Sequence, residues 1–344
     1  MPDPAIRVAI VSPTSPSPGP DLDAVLATAV PYAIPLTERF RGIDVREGML
    51  LRGPAGWGEF CPFPEYDDRT AGLWLATAIE ATTVGWPAPR RDRIPINCTV
   101  PAVTAARAFE IVQGSGCTTA KVKVAEHPDA LAEDLARVEA VRAALGPGGA
   151  IRVDANTRWD ADTAVRTLRL LERAAGGLEY AEQPCRTLED LAIVRRRTGI
   201  RIAADESIRQ AGDPLRVSLT GAADIAVIKC TPLGGVRRAL AVAEATGLPC
   251  VVSSALETSV GLAAQLALAA ALPDLGFACG LGTLSLFQAD VVASGDALRA
   301  VDGFVRVPSV APTPDPAALA EVPLDPERTR WWQARLRRAA TYLP

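Results

Sequence analysis

Residues 120–124 read "AKVKV", two lysines one residue apart inside an otherwise apolar segment. In a strand successive side chains point to opposite faces, so Lys121 and Lys123 share one face while Ala120, Val122 and Val124 share the other. Lysine is rarely buried without a partner. The lysine face is therefore either open to solvent or lined with compensating charge, and the rest of the chain decides between the two.

From about residue 93 short apolar runs recur, each followed by a segment of helical period: "IPINCTV", "AKVKV", "IRVDA", "LEYAEQP", "RIAADES", "IAVIKC", "CVVSSA" and "FACGLG". One residue near the end of each run, Asn97, Lys123, Asp154, Glu182, Asp205, Lys229, Ser254 and Gly280, follows its predecessor after 23 to 31 positions. That spacing suits a strand, a crossover helix and two short loops. Between the runs, Leu131, Leu135, Val138, Val141 and Leu145 form one helical stripe ending at Gly146, and Thr187 with Asp190 marks a helix N-terminus. Eight such units predict a (β/α)8-type TIM barrel. An open doubly wound sheet would place a glycine-rich phosphate turn after an early strand, and no G-x-G-x-x-G stands there. "PLGGVRRAL" (232–240) reads as a plain turn entering a helix, with phosphate binding as the lesser alternative.

We expect the barrel to occupy residues 93–289, with an α+β capping domain built from residues 1–92 and a C-terminal segment, 290–344, that returns to it. "EGMLLRGPAGWGEFCPFPEY" (47–66) reads as a strand, a glycine turn and a proline-fixed loop. "PERTRWWQARLRRA" (326–339) reads as an amphipathic helix docked through Trp331 and Trp332 with its arginines in solvent, and "PTSPSPGPD" (13–21) as an irregular loop.

Charged residues make up 22% of the chain with a formal charge of -4, so electrostatics favours neither nucleic acid nor an anionic membrane as partner. The seven scattered cysteines form no C-x-x-C pair and read as reduced core residues. No basic leader with a long apolar run opens the sequence, and "LAAQLALAAALP" (262–273) is too short to cross a bilayer. A cytoplasmic protein with a small ligand is expected; the sequence specifies no oligomeric state.

Five consecutive runs present Lys123, Asp154, Glu182, Asp205 and Lys229 where a barrel carries its active site, at the C-terminal ends of its strands. Three gathered carboxylates resist ionisation unless a cation offsets them, and hard oxygen donors without histidine or thiolate favour Mg²⁺, with Mn²⁺ able to substitute. Three carboxylates, a dication and two ammonium groups leave one positive charge, which favours a small anionic carboxylate substrate. Lysines flanking a metal-bound carboxylate suit proton abstraction from the adjacent carbon, because the metal stabilises the enediolate where its charge develops and nearby cations favour the neutral amine. The lysine face of "AKVKV" then points into a polar barrel mouth, with Lys121 one pleat deeper.

Together "AKVKV", "VDAN", "AEQP", "ADES" and "VIK" resemble the enolase superfamily in its muconate-lactonizing subgroup. A lysine base working with magnesium is the general pattern of that superfamily, so here it is implied by the resemblance. The resemblance implies Asp154, Glu182 and Asp205 as metal ligands, Lys123 as acid/base and Lys229 facing it across the substrate, supported by Lys121, Asn156 and Glu206. More selectively, residues 41–68, "SSALETSVGLAA" (253–264) and "ACGLGT" (278–283) resemble the subgroup's dehydrating members of menaquinone biosynthesis. The implied reaction is a syn dehydration of 2-succinyl-6-hydroxy-2,4-cyclohexadiene-1-carboxylate to 2-succinylbenzoate, with Lys123 both removing the proton and protonating the departing hydroxyl, and Lys229 as electrostatic stabiliser.

The same five residues would serve racemisation of N-succinylamino acids or muconate cycloisomerisation. Dipeptide epimerases usually carry an Asp-x-Asp element at the eighth strand, and "FACGLGTLSL" (277–286) has none. A Schiff-base aldolase would not need three adjacent carboxylates, nor a scaffold two lysines around them. Ser253 and Ser254 either donate to a substrate carboxylate or satisfy the strand-end backbone, and Glu257 orients that loop. His127, the only histidine, reads as a loop residue. "ERFRGIDVRE" (38–47) either closes over the mouth through Phe40, Arg41 or Ile43 or packs within the cap.

Overall fold

The computed structural model describes residues 21–209 and 221–344, so most of the proline-rich stretch 13–21 lies outside the described residues. Three strands, β1 (Val30–Phe40), β2 (Ile43–Gly53) and β3 (Gly56–Phe60), form an antiparallel sheet. The helix Asp68–Thr83, started by Asp67 accepting from the amide of Thr70 at 2.7 Å, buries Trp74, Leu75 and Ala78 against it. These elements are the cap.

A short strand β4 (Arg93–Pro95) leads to the barrel, whose seven parallel strands lie in sequence order: β5 (Cys98–Val100), β6 (Thr119–Lys123), β7 (Ala150–Asp154), β8 (Tyr180–Glu182), β9 (Ile202–Ala204), β10 (Ile225–Ile228) and β11 (Cys250–Val252). The crossover helices turn their apolar stripe to the sheet; Ala161–Ala175 buries Ala164, Val165, Leu168 and Leu171 and ends at Gly176, whose φ of 62° is costly for a residue with a Cβ. The stripe expected over 131–145 is a helix with those bounds, closed by Gly146. The eighth position is reduced to a bridge. Gly280 donates to Val252 O at 2.8 Å and Cys279 accepts from the amide of Asn97 at 2.9 Å, which ties β11 to the chain entering β5 and closes the ring.

Two expectations need correction. "IPINCTV" is not one strand: β4 pairs antiparallel with β12 (Phe304–Arg306), and only residues after Asn97 enter the barrel. Asn97 therefore stands at the N-terminal end of β5, far from the mouth, where its side chain accepts from Arg152 at 3.0 Å. The C-terminal helix Pro326–Ala340 does dock on the cap, with Trp332 edge-on to Phe60 at 5.9 Å, but its arginines are not all in solvent. Arg335 is buried and donates to the carbonyls of Phe63 and Tyr66 at 2.9 and 2.6 Å, because the loop after β3 has no strand partner to satisfy it. The 232–240 turn enters the helix Val236–Thr246, whose first amide is filled by Glu80, 2.5 Å from the nitrogen of Val236; a side chain holds the place a phosphate would take. Among the described residues no helix is long and apolar enough to cross a membrane.

Cap and barrel are joined by a buried carboxylate. Glu59, at the end of β3, accepts from the hydroxyl of Tyr32, from the amide and hydroxyl of Thr258 at 3.0 and 2.6 Å, and from the amide of Gly261 at 2.8 Å. It thereby caps the barrel helix Ser259–Ala271, where a carboxylate is favoured. Gly261 leaves the room for it, since a Cβ there would stand 2.5 Å from Glu59 Oε2. Removing a buried acceptor strands its donors, so Glu59→Ala should lower unfolding free energy by about 3 kcal/mol, read by urea denaturation. Burial raises the Glu59 pKa above 4.5. Its contribution to stability is therefore complete below pH 4.5 and declines as pH rises through the native value, a decline that Glu59→Gln should abolish.

Candidate active site

Register sets the site. Lys123 pairs with Asp154 across β6 and β7, and Asp154 with Glu182 across β7 and β8, while Asp205 and Lys229 are the residues just past β9 and β10. All five therefore reach the mouth that faces the cap. Ala120, Val122 and Val124 are buried on the opposite face of β6, as the alternation of "AKVKV" requires.

The lysines meet carboxylates rather than bulk water. Lys121 donates to both oxygens of Glu182 at 2.9 and 3.0 Å and lies 3.7 Å from Asp154. Lys123 donates to Asp154 at 2.5 Å and to Asn156 Oδ1 at 2.6 Å, and Lys229 to Asp205 at 2.5 Å. Asp154, Glu182 and Asp205 are each no more than 2% exposed. Burial and the neighbouring carboxylates push Glu182 up to about 7 although Lys121 opposes them. Burial also works against the charge on Asp205, yet Lys229 and Arg209 outweigh it and hold that carboxyl below its usual range. For Lys121 burial is again outweighed, here by Glu182 and Asp154, so the ammonium form is favoured.

Among the described residues no three metal-ligating side chains are gathered closely enough to enclose an ion, and each of these carboxylates accepts from a lysine. The donor chemistry nevertheless fits a hard dication. Three buried carboxylates leave Glu182 short of positive charge even with lysines present, and Glu206 Oε2 beside them is a buried acceptor with no partner.

Supporting residues fall around this cluster. Asn156, at φ 44°, donates to Glu206 at 3.3 Å while accepting from Lys123. Sequence reasoning missed Arg209, which bonds Asp205 at 3.3 Å, Glu206 at 2.8 Å and the Tyr66 hydroxyl at 3.0 Å; its four-residue spacing from Asp205 on a short helix was the available signal. It also missed the bridging role of Gln183, whose side chain accepts from the amides of Asp205 and Ser207. Ser254 shares a 2.6 Å hydrogen bond with Thr283, and the Ser253 hydroxyl lies 3.5 Å from Gly280 O; both serines line the inner cavity. Glu257 accepts from Ala255, Thr231 and Gln265 and thereby shapes the loop. Phe40, the last residue of β1, and Arg41, in the turn that follows, line the mouth, with the Lys123 ammonium 5.3 Å from the Phe40 ring centroid; Ile43 is partly buried and packs against the core. His127 is a loop residue 3.4 Å from Glu133.

Residues 103–312 match the family described as enolase C-terminal domain-like, and residues 31–82 that described as enolase N-terminal domain-like. The chain is 60% identical over 305 residues to the o-succinylbenzoate synthase of Thermobifida fusca, spanning 89% of this chain and 93% of that one. It is 50% identical over 319 residues to the enzyme of the same name from Mycobacterium tuberculosis, spanning 92% and 95%. The chain belongs to the o-succinylbenzoate synthase family of the enolase superfamily. The fold is shared more widely. The L-Ala-D/L-Glu epimerase of Bacillus subtilis superposes with a TM-score of 0.70 at 24% identity, covering 86% of this chain and 98% of that one. The muconate cycloisomerase of Pseudomonas fluorescens superposes with a TM-score of 0.68 at 22% identity, covering 88% and 96%. Membership of the superfamily implies a divalent metal.

One cap residue holds the loop after β11. Arg46, fully buried, donates to the carbonyls of Leu256 at 2.8 Å, Ala255 at 3.2 Å and Cys61. Arg46→Met should therefore speed amide exchange across residues 255–258 by at least ~10-fold, measured by hydrogen exchange, with slower change in the barrel strands.

Proposed function

We infer that this enzyme dehydrates 2-succinyl-6-hydroxy-2,4-cyclohexadiene-1-carboxylate to 2-succinylbenzoate, and that Lys123 carries the proton. The observation that supports this most is the placement of two amines, Lys123 and Lys229, on either side of three buried carboxylates at one barrel mouth. In the reaction the amine of Lys123 takes the proton from the carbon bearing the carboxylate. The electron pair left behind spreads onto the carboxylate oxygens. The neighbouring carbon–oxygen bond then breaks, Lys123 returns its proton to the departing hydroxyl, water leaves and the ring becomes aromatic. Proton and hydroxyl leave from one face, so one base is enough. Lys229 offers positive charge from the other side, and Asn156 orients Lys123 through its 2.6 Å contact.

We assign Asp154, Glu182 and Asp205 as the residues that would hold the ion, and Mg²⁺, with Mn²⁺ as substitute, as its identity, from the all-oxygen donor set. Bound there, it would supply electrostatic stabilisation of the charge developing on the substrate carboxylate. Lys123 and Lys229 donate to Asp154 and Asp205, which places both amines beside the residues that would hold the ion.

Epimerisation of dipeptides is disfavoured at the eighth strand position. Gly280 stands there without a side chain, and the Asp-x-Asp element of dipeptide epimerases is absent from residues 277–286. The seven cysteines are free and all but Cys250 are buried, which suits the reducing cytoplasm we propose as its location.

Supplied with the cyclohexadiene carboxylate and Mg²⁺, the protein should produce the ultraviolet absorbance of the aromatic product, while N-succinylamino acids in heavy water exchange their α-proton slowly or not at all. The reverse ranking would replace dehydration with racemisation. Lys123→Ala should lower the dehydration rate by a factor on the order of 10²–10⁴ and leave the circular dichroism spectrum unchanged. Exhaustive chelation should abolish turnover, and Mg²⁺ should restore it.

A further inference from the structure

The proposed substrate has two carboxylates, and the reaction accounts for one of them. The ring carboxylate must lie at the lysines and acidic residues, since its neighbouring carbon gives up the proton. The succinyl carboxylate, several bonds away, must then point out along the cleft of about 670 Å³ that rises from Lys123 toward solvent. Five arginines line this cleft, and they differ in what holds them.

Arg209 is bound by Asp205 and Glu206. Arg39 pairs with Asp44 at 3.4 Å, and Arg41 lies 3.8 Å from Glu65 with its guanidinium 4.2 Å from the Phe63 ring centroid. Arg158 and Arg186 have no side-chain hydrogen bond or ion pair among the described residues. Their neighbourhood is set by the backbone. Past Asp154 and Glu182 the two chains stay side by side: the amide of Thr157 donates to Gln183 O at 2.8 Å, that of Trp159 to Pro184 O at 3.1 Å, and Trp159 bridges in parallel to Cys185. Two unengaged guanidinium groups thus leave adjacent, laddered segments directly above the strand ends that carry two of the carboxylates. Of the three glutamates that line the cleft, Glu65 faces Arg41 and Glu206 faces Arg209, which leaves Glu126 against Arg158 and Arg186.

We propose that Arg158 and Arg186 form the subsite for the succinyl carboxylate and thereby select a dianionic substrate. The inference rests on the function proposed above. Both side chains are exposed at the rim of the cleft, and a guanidinium there presents paired donors matched to a carboxylate. The subsite acts on binding; proton transfer at Lys123 is outside its reach.

The test uses the Mg²⁺-loaded protein, the variants Arg158→Met, Arg186→Met and their combination, and two ligands: 2-succinylbenzoate and its analogue with the succinyl carboxylate converted to the neutral primary amide. The double variant should raise KM for the diene about 10-fold or more with kcat changed less than about threefold, and should weaken 2-succinylbenzoate by a similar factor in calorimetry. Affinity for the amide should stay the same. Arg→Lys at both positions should recover part of the loss, and added salt should weaken acid binding in the wild type more than in the double variant. Failure of the wild type to aromatise the diene would overturn both the function and the subsite. Aromatisation by the wild type, together with variants that weaken acid and amide equally or weaken neither, would overturn the subsite alone.

Discussion

The structure depends on gathering three carboxylates in a place almost closed to water. Asp154, Glu182 and Asp205 come from successive strands, nearly completely buried, and like charges so confined oppose one another. Lys121, Lys123 and Lys229 answer them, three cations to three acids. Lys121 is the deepest and holds two acids at once, so it acts as a fixed counter-ion, whereas Lys123 and Lys229 stand nearer the cavity and are more exposed. That division gives one lysine of "AKVKV" a structural duty and the other a chemical one, on a single face of a single strand.

The barrel alone leaves this cluster open on one side. The cap is tied over it by two buried side chains that bond across about two hundred residues of chain: Glu59 to the start of the helix after β11, and Arg46 to the loop before it. Both contacts are made largely to backbone. Their cost of burial is offset because most of the groups they bond, the amides at the start of the helix and the carbonyls of the loop before it, have no partner within regular structure.

What the sequence disclosed and what it hid follow from the range of the interactions. Strand alternation and repeat spacing are local, so Lys123, Asp154, Glu182, Asp205 and Lys229 were legible as one constellation, and the helix over 131–145 with its terminal glycine was legible to the residue. "IPINCTV" misled because its apolar character runs unbroken through Ile96, while the chain leaves one sheet and enters another there; composition does not record which partner a strand takes. Amphipathicity puts Arg335 on the charged face of its helix, but that face is covered by a cap loop whose carbonyls accept from its guanidinium. Arg46 and Glu59 carried no local signature. Their partners lie some two hundred positions away, and only the folded chain brings them together. The pairing of each carboxylate with its own lysine was likewise invisible, since counting charges gives a balance and not an arrangement.

Because Arg46 takes hold of main-chain oxygens, the anchorage of the segment 255–256 does not depend on which side chains it carries. Holding and lining are thus separate tasks there: the side chains of Ala255 and Leu256 line the inner cavity, while the peptide is pinned through its oxygens. A lineage built on this plan can retune the shape it accepts by changes at those two places, with the proton-handling apparatus left untouched.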